Sequence, residues 1–351
     1  MFLENSNENT IYLGDSQLNC SKLAVSGGFI NENKEKFYKI SNYNFMPDFF
    51  MTIVSSFNHW MFISSNGSLS AGRKNRDNAL FPYYSVDKIH DSQGVTGSET
   101  AIIIENNGKS YLWQPFSKQM CNVYRIVRNL YKNFYGNQII FEEINTDLGI
   151  EYRYGWYTSD KFGFVKKSSV RNLNNISMKI KVADGIKNIL PSGVSYVFQN
   201  EYSNLLDGYK KNELIRETGL GLFMLSAIPV DRAEPSESLN TTTVFSYGLS
   251  DPKVLISEAQ LQNFKNGKAV FTETDKNASR GAYFISSGFN LAKNERKEWG
   301  IVAEINQSST DAANLNHYLL NSKSISEEVE ADIGNGTEAL IRIAAGADAL
   351  Q

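Results

Sequence analysis

Short apolar runs rich in Phe, Tyr, Val and Ile, separated by Asn, Gly, Asp and Ser, recur from about residue 36 to 305 and constrain the fold most. Runs of this length, bounded by turn residues, predict β-strands. The clearest of them cover residues 49–56, 59–65, 99–106, 109–116, 138–144 and 149–158. Asn107-Gly108 and Asp147-Leu148-Gly149 each join two of these runs and predict hairpins. More than ten strands with almost no βαβ spacing predict a mainly β fold, an antiparallel two-sheet sandwich.

Helices are predicted at few places. Residues 200–216 and 256–265 carry helix-forming patches. The pattern changes again after residue 307, where Ser308 or Ser309 can cap a helix. The sequence thus predicts that the β-rich part of the chain is followed by helices.

The last predicted helix has an apolar stripe. This helix is expected to open at Thr337, beyond a break at residues 334–336. Its apolar positions recur at helical spacing and are Leu340, Ile343, Ala344, Ala347 and Leu350. Two interpretations stay open, because such a stripe can pack on the β domain or can face a further helical domain.

Composition narrows the class of protein. With 351 residues, 41% hydrophobic and 21% charged, the chain can bury a large core, and its net charge of −3 argues against a nucleic-acid partner. Cys20 and Cys121 are too few for a disulfide framework and lack zinc-site spacing. The first ten residues have no signal-peptide pattern, and no run approaches about 18 apolar residues. We therefore expect a cytoplasmic protein without a membrane span.

The acidic and imidazole side chains do not form a recognisable catalytic motif. Glu142 and Glu143 are adjacent, but consecutive strand residues point to opposite faces, so this pair is predicted to be structural. Other acids lie in loops and helical patches, with none of them marked: Asp160, Glu201, Glu213, Asp231, Glu234 and Glu237. The histidines, His59, His90 and His317, lack metal-ligand spacing. The sequence predicts no catalytic residue, no metal site and no cofactor.

Cationic and aromatic side chains are the candidates for ligand binding. Basic residues that include Arg73, Lys74 and Arg76 stand between an apolar strand and a Phe-Pro-Tyr-Tyr segment. The predicted substrate-binding residues are Trp60, Arg73, Lys74, Tyr83, Tyr84 and Trp113. Aromatic rings can stack on sugars, and Arg can grip a phosphate or a carboxylate. The alternative is that the cations are a solvated loop and that the aromatics, with Trp156 and Tyr157, fill the core.

Several stretches resemble the N-terminal part of large bacterial proteins similar to the cellobiose, chitobiose and cyclic β-glucan phosphorylases. They are "NHWMFISSNGSLSAGRKNRDNALFPYY", "NGKSYLWQPF", "GVSYVFQNEYSNLLDGYKKNELIRETGLGLF", "IPVDRAEPSES" and the closing "ADIGNGTEALIRIAAGADALQ". The sharpest match is Trp113-Gln114-Pro115, which is similar to a Trp-Gln-Pro element of that family. The resemblance runs from about residue 36 to the end of the chain.

The resemblance implies a fold and a division of the chain. In that family an N-terminal β-supersandwich of the galactose-mutarotase type is joined by linker helices to an (α/α)6 barrel. The implied domains here are the supersandwich over residues 1–307 and a helical linker over residues 308–351, which leads to an absent barrel. The family's general acid is an aspartate of the barrel, so no residue of this chain inherits that role. Residues of this domain approach the partner subunit's active site in phosphorylase dimers, which the resemblance extends to Arg73, Lys74 and the Tyr83-Tyr84 pair.

The expected function is that of a non-catalytic, carbohydrate-binding and scaffolding domain of a glycoside phosphorylase or hydrolase that acts on β-glucan-type oligosaccharides. Its expected partners are an oligosaccharide, the (α/α)6 catalytic domain and a second copy in a homodimer. Two alternatives stay open. One is a self-contained sugar enzyme of the mutarotase-like class, which needs an acid and a base that converge on one sugar. The other is a pure carbohydrate-binding module.

Overall fold

Antiparallel β-strands form most of the protein. The structure, a computed structural model, describes residues 10–19, 23–32, 35–106, 108–120, 122–227 and 239–348. The strands are β1 (Tyr12–Leu13), β2 (Ser16–Gln17), β3 (Ser26–Glu32), β4 (Glu35–Ser41), β5 (Phe50–Ile53), β6 (His59–Ser64), β7 (Leu69–Arg73), β8 (Ala79–Phe81), β9 (Gly97–Asn106), β10 (Lys109–Trp113), β11 (Ile126–Asn133), β12 (Ile139–Asn145), β13 (Ile150–Ser159), β14 (Gly163–Asn172), β15 (Met178–Ile189), β16 (Lys210–Ile215), β17 (Leu220–Leu225), β18 (Asn240–Tyr247), β19 (Lys253–Leu255), β20 (Asp275–Asn277), β21 (Gly281–Leu291) and β22 (Arg296–Ser308).

The helices are short until the end of the chain. They are α1 (Val86–Ile89), α2 (Tyr196–Glu201), α3 (Ser203–Asp207), α4 (Leu261–Lys265), α5 (Ser309–Asn321) and α6 (Ile325–Asp348), with 3-10 turns at Tyr43–Phe45 and His90–Ser92. None of the helices in the described ranges is both long and apolar enough to cross a membrane.

The strands form four sheets. The largest has eleven strands in the order β20-β16-β17-β18-β22-β14-β13-β12-β11-β4-β3. A five-stranded sheet has the order β10-β9-β15-β21-β19, a four-stranded sheet runs from β5 to β8 in sequence order, and β1 pairs with β2 alone. All the pairings are antiparallel, and the two predicted hairpins are present as β9-β10 and β12-β13. Asn107 of the first turn lies outside the described residues.

One core joins the three larger sheets. Ile63 and Leu69 of the four-stranded sheet, Ile102 and Val182 of the five-stranded sheet, and Trp156 of the eleven-stranded sheet belong to the same buried cluster. The eleven-stranded sheet therefore packs against a second layer that is divided into two smaller sheets. This arrangement confirms the predicted fold class, which is mainly β with antiparallel sheets and C-terminal helices.

Two helix predictions were wrong in part. Residues 200–216 were expected to be helical, but β16 occupies Lys210–Ile215 and pairs with β17, because its side chains alternate between buried and half-buried positions. Residues 334–336 were expected to break the last helix, yet α6 continues through them. The cap at Ser308 is confirmed, since its hydroxyl accepts a hydrogen bond from the Asp311 amide in a capping box.

Helix α6 is anchored to the β domain along its first half. Val329 and Ile333 are buried against the eleven-stranded sheet, and the Asp332 carboxylate accepts hydrogen bonds from Ser159 and the Lys161 amide. Beyond Leu340 the predicted apolar stripe is exposed at Ile343, Ala344 and Ala347. Leu350 lies outside the described residues. That a further domain covers this stripe stays a prediction.

A buried ion pair connects the two layers. Lys166 of β14 and Asp184 of β15 have fully buried side chains, and their Nζ and Oδ1 atoms lie 2.5 Å apart. Asp184 also accepts hydrogen bonds from Thr100 (2.6 Å) and from the Trp299 indole (2.7 Å). Burial opposes ionisation of the Asp184 carboxyl, but the Lys166 ammonium and these donors hold its pKa below the ordinary value. The charge is thus fully compensated inside the core.

Replacing Lys166 with Met is expected to lower the free energy of unfolding by about 3–5 kcal/mol, because the Asp184 charge would remain buried without its partner. The matched control is Lys167→Met, which removes a more exposed lysine whose partners are Glu330 and Tyr157 and should cost less than about 1 kcal/mol. Urea unfolding followed by circular dichroism measures both. Equal stabilities of the two variants would contradict the role given to the pair.

Candidate functional site

The predicted binding residues do not gather at one place. Trp60 and Tyr83 lie together on the outer side of the four-stranded sheet, with ring centroids 5.6 Å apart. Tyr84 points toward the loop that precedes β9, where its hydroxyl lies 3.4 Å from Thr96 Oγ1. Lys74 is exposed and has a left-handed backbone with φ 61°. The structure therefore brings together only one pair of this set in direct contact.

Arg73 is held in an internal ion pair. Its guanidinium donates to the Glu304 carboxylate, and it also donates to Asn58 Oδ1 at 2.9 Å. Burial raises the pKa of Glu304 even though Arg73 opposes that rise. Next to this pair, burial and the Arg73 charge lower the pKa of His59 to about 3. Arg73 thus joins β7 to β22, and its charge is compensated within the chain.

Trp113 is buried, so its ring is not available to stack on a ligand. Only 1% of its surface is exposed. Its indole donates to Glu143 Oε1 at 2.9 Å, and the same carboxylate accepts from the Phe116 amide (2.7 Å) and from Arg128 (2.6 Å). Glu143 therefore fixes the turn that follows β10. The structural role predicted for this glutamate is confirmed.

Glu142 points to the opposite face, as expected for the neighbouring strand residue. It accepts hydrogen bonds from Asn129 and Tyr131 and pairs with Arg153. The two glutamates cannot converge on one substrate. Of the other acids that the sequence left open, Asp231, Glu234 and Glu237 lie outside the described residues, as do both cysteines.

The candidate site is a cleft where β10 ends. β10 pairs with β9 only as far as Trp113 opposite Ile102, so residues 97–101 of β9 have no strand beside them on that edge. A cleft of about 720 Å³ opens there. We call it the β10 cleft. Its size is in the range of small-molecule binding sites.

Four segments supply most of the lining of the β10 cleft. β9 contributes Ser98, Glu99 and Thr100, and the turn after β10 contributes Gln114, Pro115 and Phe116. The 3-10 turn and the loop after it contribute His90, Asp91 and Gln93, and α4 contributes Leu261, Gln262 and Lys265. Gln114 and Pro115 belong to the Trp-Gln-Pro element that the sequence singled out. Trp113 is thus buried beneath the cleft, and its two neighbours Gln114 and Pro115 line the cleft.

The polar groups on two walls of the cleft are held in fixed positions. His90 Nδ1 lies 2.7 Å from Ser64 Oγ, and the His90 carbonyl accepts from Asn66 Nδ2 at 3.1 Å. Gln93 donates to the Asn66 carbonyl at 3.1 Å. The Gln114 amide, in contrast, is half-buried and makes no hydrogen bond with the residues that the structure describes. Its donors and acceptor are available to a ligand.

The α4 end of the cleft carries a charge network. Glu99 pairs with Lys187 and, at 2.7 Å, with Lys265, and Lys187 also lies 3.3 Å from Glu258. Burial would raise the pKa of Glu99, but the two ammonium groups outweigh it and hold that pKa below its ordinary value. Glu99 is therefore a fixed carboxylate that accepts hydrogen bonds.

A second cleft adjoins the first. Its volume is about 590 Å³, and it shares Asn66, Gln93, Phe116 and Lys118 with the β10 cleft. Gln93 Oε1 is buried there without a hydrogen-bond partner among the described residues. The two clefts together form a longer groove than either alone. Among the described residues, no group of three His, Cys, Asp or Glu side chains is placed to hold a metal ion.

Comparisons with known proteins find similarity in solved structures only. No protein-family model and no curated protein matches the chain. A bacterial glucoamylase complexed with acarbose is similar with a TM-score of 0.41 and 12% identity, over 91% of this chain and 40% of that one. A polysaccharide lyase is similar with a TM-score of 0.43 and 7% identity, over 74% of this chain and 34% of that one.

A smaller protein is also similar. It is a galactose mutarotase-like protein from Clostridium acetobutylicum, with a TM-score of 0.35 and 10% identity, over 82% of this chain and 99% of that one. This chain thus spans about two fifths of the glucoamylase and a third of the lyase, and nearly all of the mutarotase-like protein is covered. None of these likenesses assigns a role to a residue of this chain.

The charge network predicts a pH dependence of stability. The pKa of Glu99 is lower in the folded state than in the unfolded state. Ionised Glu99 therefore contributes to folding stability at a pH above its unfolded-state pKa, and this contribution is lost as the pH falls through its folded-state pKa. Wild type should be more stable than Glu99→Gln at neutral pH, and this advantage should shrink as pH falls below the ordinary glutamate pKa of 4.5. Urea unfolding at a series of pH values from about 7 to about 3 measures the difference in free energy of unfolding between the two proteins.

The matched control for this pH series is Glu298→Gln, at a largely exposed glutamate whose nearest cation is 3.9 Å away. The free energy of unfolding of Glu298→Gln should differ little from that of wild type at every pH. A Glu99→Gln difference that does not change with pH would show that the network leaves the Glu99 pKa unshifted.

Proposed function

We propose that the chain is a non-catalytic, oligosaccharide-binding and scaffolding domain of a glycoside phosphorylase or hydrolase that acts on β-glucan-type oligosaccharides. The observation that carries the proposal is the unused Gln114 amide in the wall of the β10 cleft, beside fixed donors and acceptors. Sugars offer many hydroxyls and small apolar ring faces, so a site for them combines directed hydrogen-bond groups with aromatic or apolar surface.

The lining of the cleft suits such a ligand. Phe116, Pro115 and Tyr154 supply apolar and aromatic surface on one side. Gln114, Gln93 and Ser98 supply amide and hydroxyl groups. The charged groups at the α4 end are paired with one another, so a neutral ligand meets no unpaired charge there. The adjoining cleft extends the groove for further sugar units.

The ion pairing of the glutamate side chains in the β10 cleft favours ligand binding over catalysis. Hydrolysis of a glycoside needs two carboxyl groups across the bond, of which one must be protonated to act as the acid. In the β10 cleft Glu99 is held ionised between Lys187 and Lys265, and Glu258 is paired with Lys187. Both glutamates that line this cleft are therefore engaged in salt bridges with lysines.

One observation supports a second candidate, a self-contained mutarotase-like enzyme. His90, Asp91 and Glu99 line the same cleft, so an imidazole and carboxylates do surround one sugar-sized space. Against it stand the salt bridges of Glu99 and the hydrogen bond of His90 with Ser64. The rate at which free glucose or galactose reaches anomeric equilibrium, measured by polarimetry, separates the two candidates. Acceleration that is lost in His90→Ala would favour the enzyme.

Replacing Gln114 with Ala should weaken binding of β-glucan oligosaccharides about tenfold, the loss expected from one or two neutral hydrogen bonds. Isothermal titration calorimetry with cello-, laminari- and chito-oligosaccharides measures the affinity. Gln199→Ala is the matched control, because Gln199 is also half-buried but lies in α2, outside the cleft. Heat without any cleavage or phosphorolysis product is expected. The proposal fails if no oligosaccharide binds or if both variants bind equally.

A further inference from the structure

Five half-exposed aromatic side chains form a continuous row on the outer side of the four-stranded sheet, and none of them lines the β10 cleft. They are Phe50, Phe62, Trp60, Tyr83 and Tyr196. We propose that this aromatic row is a second glycan-binding surface, which stacks against the pyranose faces of a neutral β-linked oligosaccharide. The inference does not depend on ligand binding in the β10 cleft.

The strand register places the row on the outer face. Along β6 the side chains of Met61 and Ile63 are buried in the core, so the alternating residues Trp60 and Phe62 point outward. Phe50 of β5 points the same way. It pairs opposite Ser64, which lies two residues after Phe62 and therefore on the same face of the sheet. The outward side chains of β5 and β6 are thus Phe50, Thr52, Trp60, Phe62 and the buried Ser64, with no aliphatic residue among them.

The rings follow one another at regular steps. Centroid distances are 5.5 Å from Phe50 to Phe62, 5.7 Å from Phe62 to Trp60, 5.6 Å from Trp60 to Tyr83 and 5.8 Å from Tyr83 to Tyr196. Each step is comparable to the length of a pyranose unit. Phe50, Phe62 and Trp60 are tilted by 35° and 33° to one another, whereas Trp60–Tyr83 and Tyr83–Tyr196 are edge-to-face at 72° and 77°. The first three rings can therefore offer their faces to successive sugars, and the two tyrosines can contact the chain through their edges and hydroxyls.

The central ring is fixed before any ligand arrives. Trp60 Nε1 donates to the Asn75 carbonyl at 3.1 Å. Opposite Trp60 on β7 stands Gly72, where a Cβ would lie only 2.5 Å from Trp60 Cζ2. The indole thus lies against bare backbone, and Gly72 is needed for this close approach. A ring that is already oriented loses little conformational entropy on binding.

The charges around the row favour a neutral polyol. The five side chains carry no charge, and the Arg76 guanidinium lies 4.4 Å from the Tyr196 ring centroid at one end of the row. A nucleic acid would need a line of cations along the rings to neutralise its phosphates. A neutral glycan needs only ring faces and hydroxyls, which the two tyrosines and Thr52 supply.

The chain contains its own reporter for this surface. Of its four tryptophans, Trp113, Trp156 and Trp299 are at most 2% exposed, whereas Trp60 is half-exposed. Acrylamide quenching of tryptophan fluorescence therefore reports mainly on Trp60. Cellohexaose, laminarihexaose or chitohexaose should protect this fluorescence from quenching in a saturable way.

Two substitutions test the row. Tyr83→Ala and Tyr196→Ala should each raise the sugar concentration needed for half-maximal protection about tenfold, because each removes a ring contact. Phe134→Ala is the matched control, at a ring that is 66% exposed elsewhere, and Gln114→Ala is the control for the β10 cleft. Both controls should protect as wild type does, so failure of the row and failure of the cleft are distinguishable. Unfolding midpoints confirm that the variants fold.

The proposal is overturned by any of three results. The first is that none of the three hexasaccharides protects Trp60. The second is that the Tyr83→Ala and Tyr196→Ala variants, folded as wild type, retain full protection. The third is protection by a single-stranded oligonucleotide and by no glycan, which would assign the row to nucleic-acid bases instead.

Discussion

The Lys166–Asp184 ion pair is the interaction on which the rest of this structure depends. It lies between the eleven-stranded and the five-stranded sheets with both side chains fully buried. A buried charge is tolerated only with its partner and its hydrogen bonds in place, so Thr100, Tyr152 and Trp299 must converge on Asp184. The relative position of the two layers is thereby fixed to within hydrogen-bond geometry.

The candidate site is built directly on this fixed core. Thr100 serves both, since it binds Asp184 and lines the β10 cleft. A second buried carboxylate, Glu143, ties Trp113 and the Phe116 amide together and so sets the wall that carries Gln114. The opposite end is held by the salt bridges of Glu99. Walls held by these contacts, with the Gln114 amide free of hydrogen bonds to the described residues, are a geometry for binding, in which groups are positioned in advance of the ligand.

The sequence predicted the local structure better than the site. Period-two patterns and turn residues located β6, β10, β12 and β13, because the alternation of buried and exposed positions is recorded in the residues themselves. The helix-forming side chains of residues 210–215 predict a helix, but pairing with β17 overrides that propensity and makes the segment a strand. The charged residues of the cleft, Glu99, Lys187 and Lys265, lie far apart in the chain, and no spacing signals that the fold joins them. The Trp-Gln-Pro resemblance was the one signal that led to the cleft.

The central claim is that the β10 cleft binds an oligosaccharide without cleaving it. The most direct test is a crystal structure determined after soaking crystals of the protein in cellohexaose. The account predicts an intact sugar chain between residues 114–116 and residues 90–93, with a hydroxyl within hydrogen-bond distance of the Gln114 amide. An empty cleft at a saturating sugar concentration, or a cleaved product within it, would contradict the account.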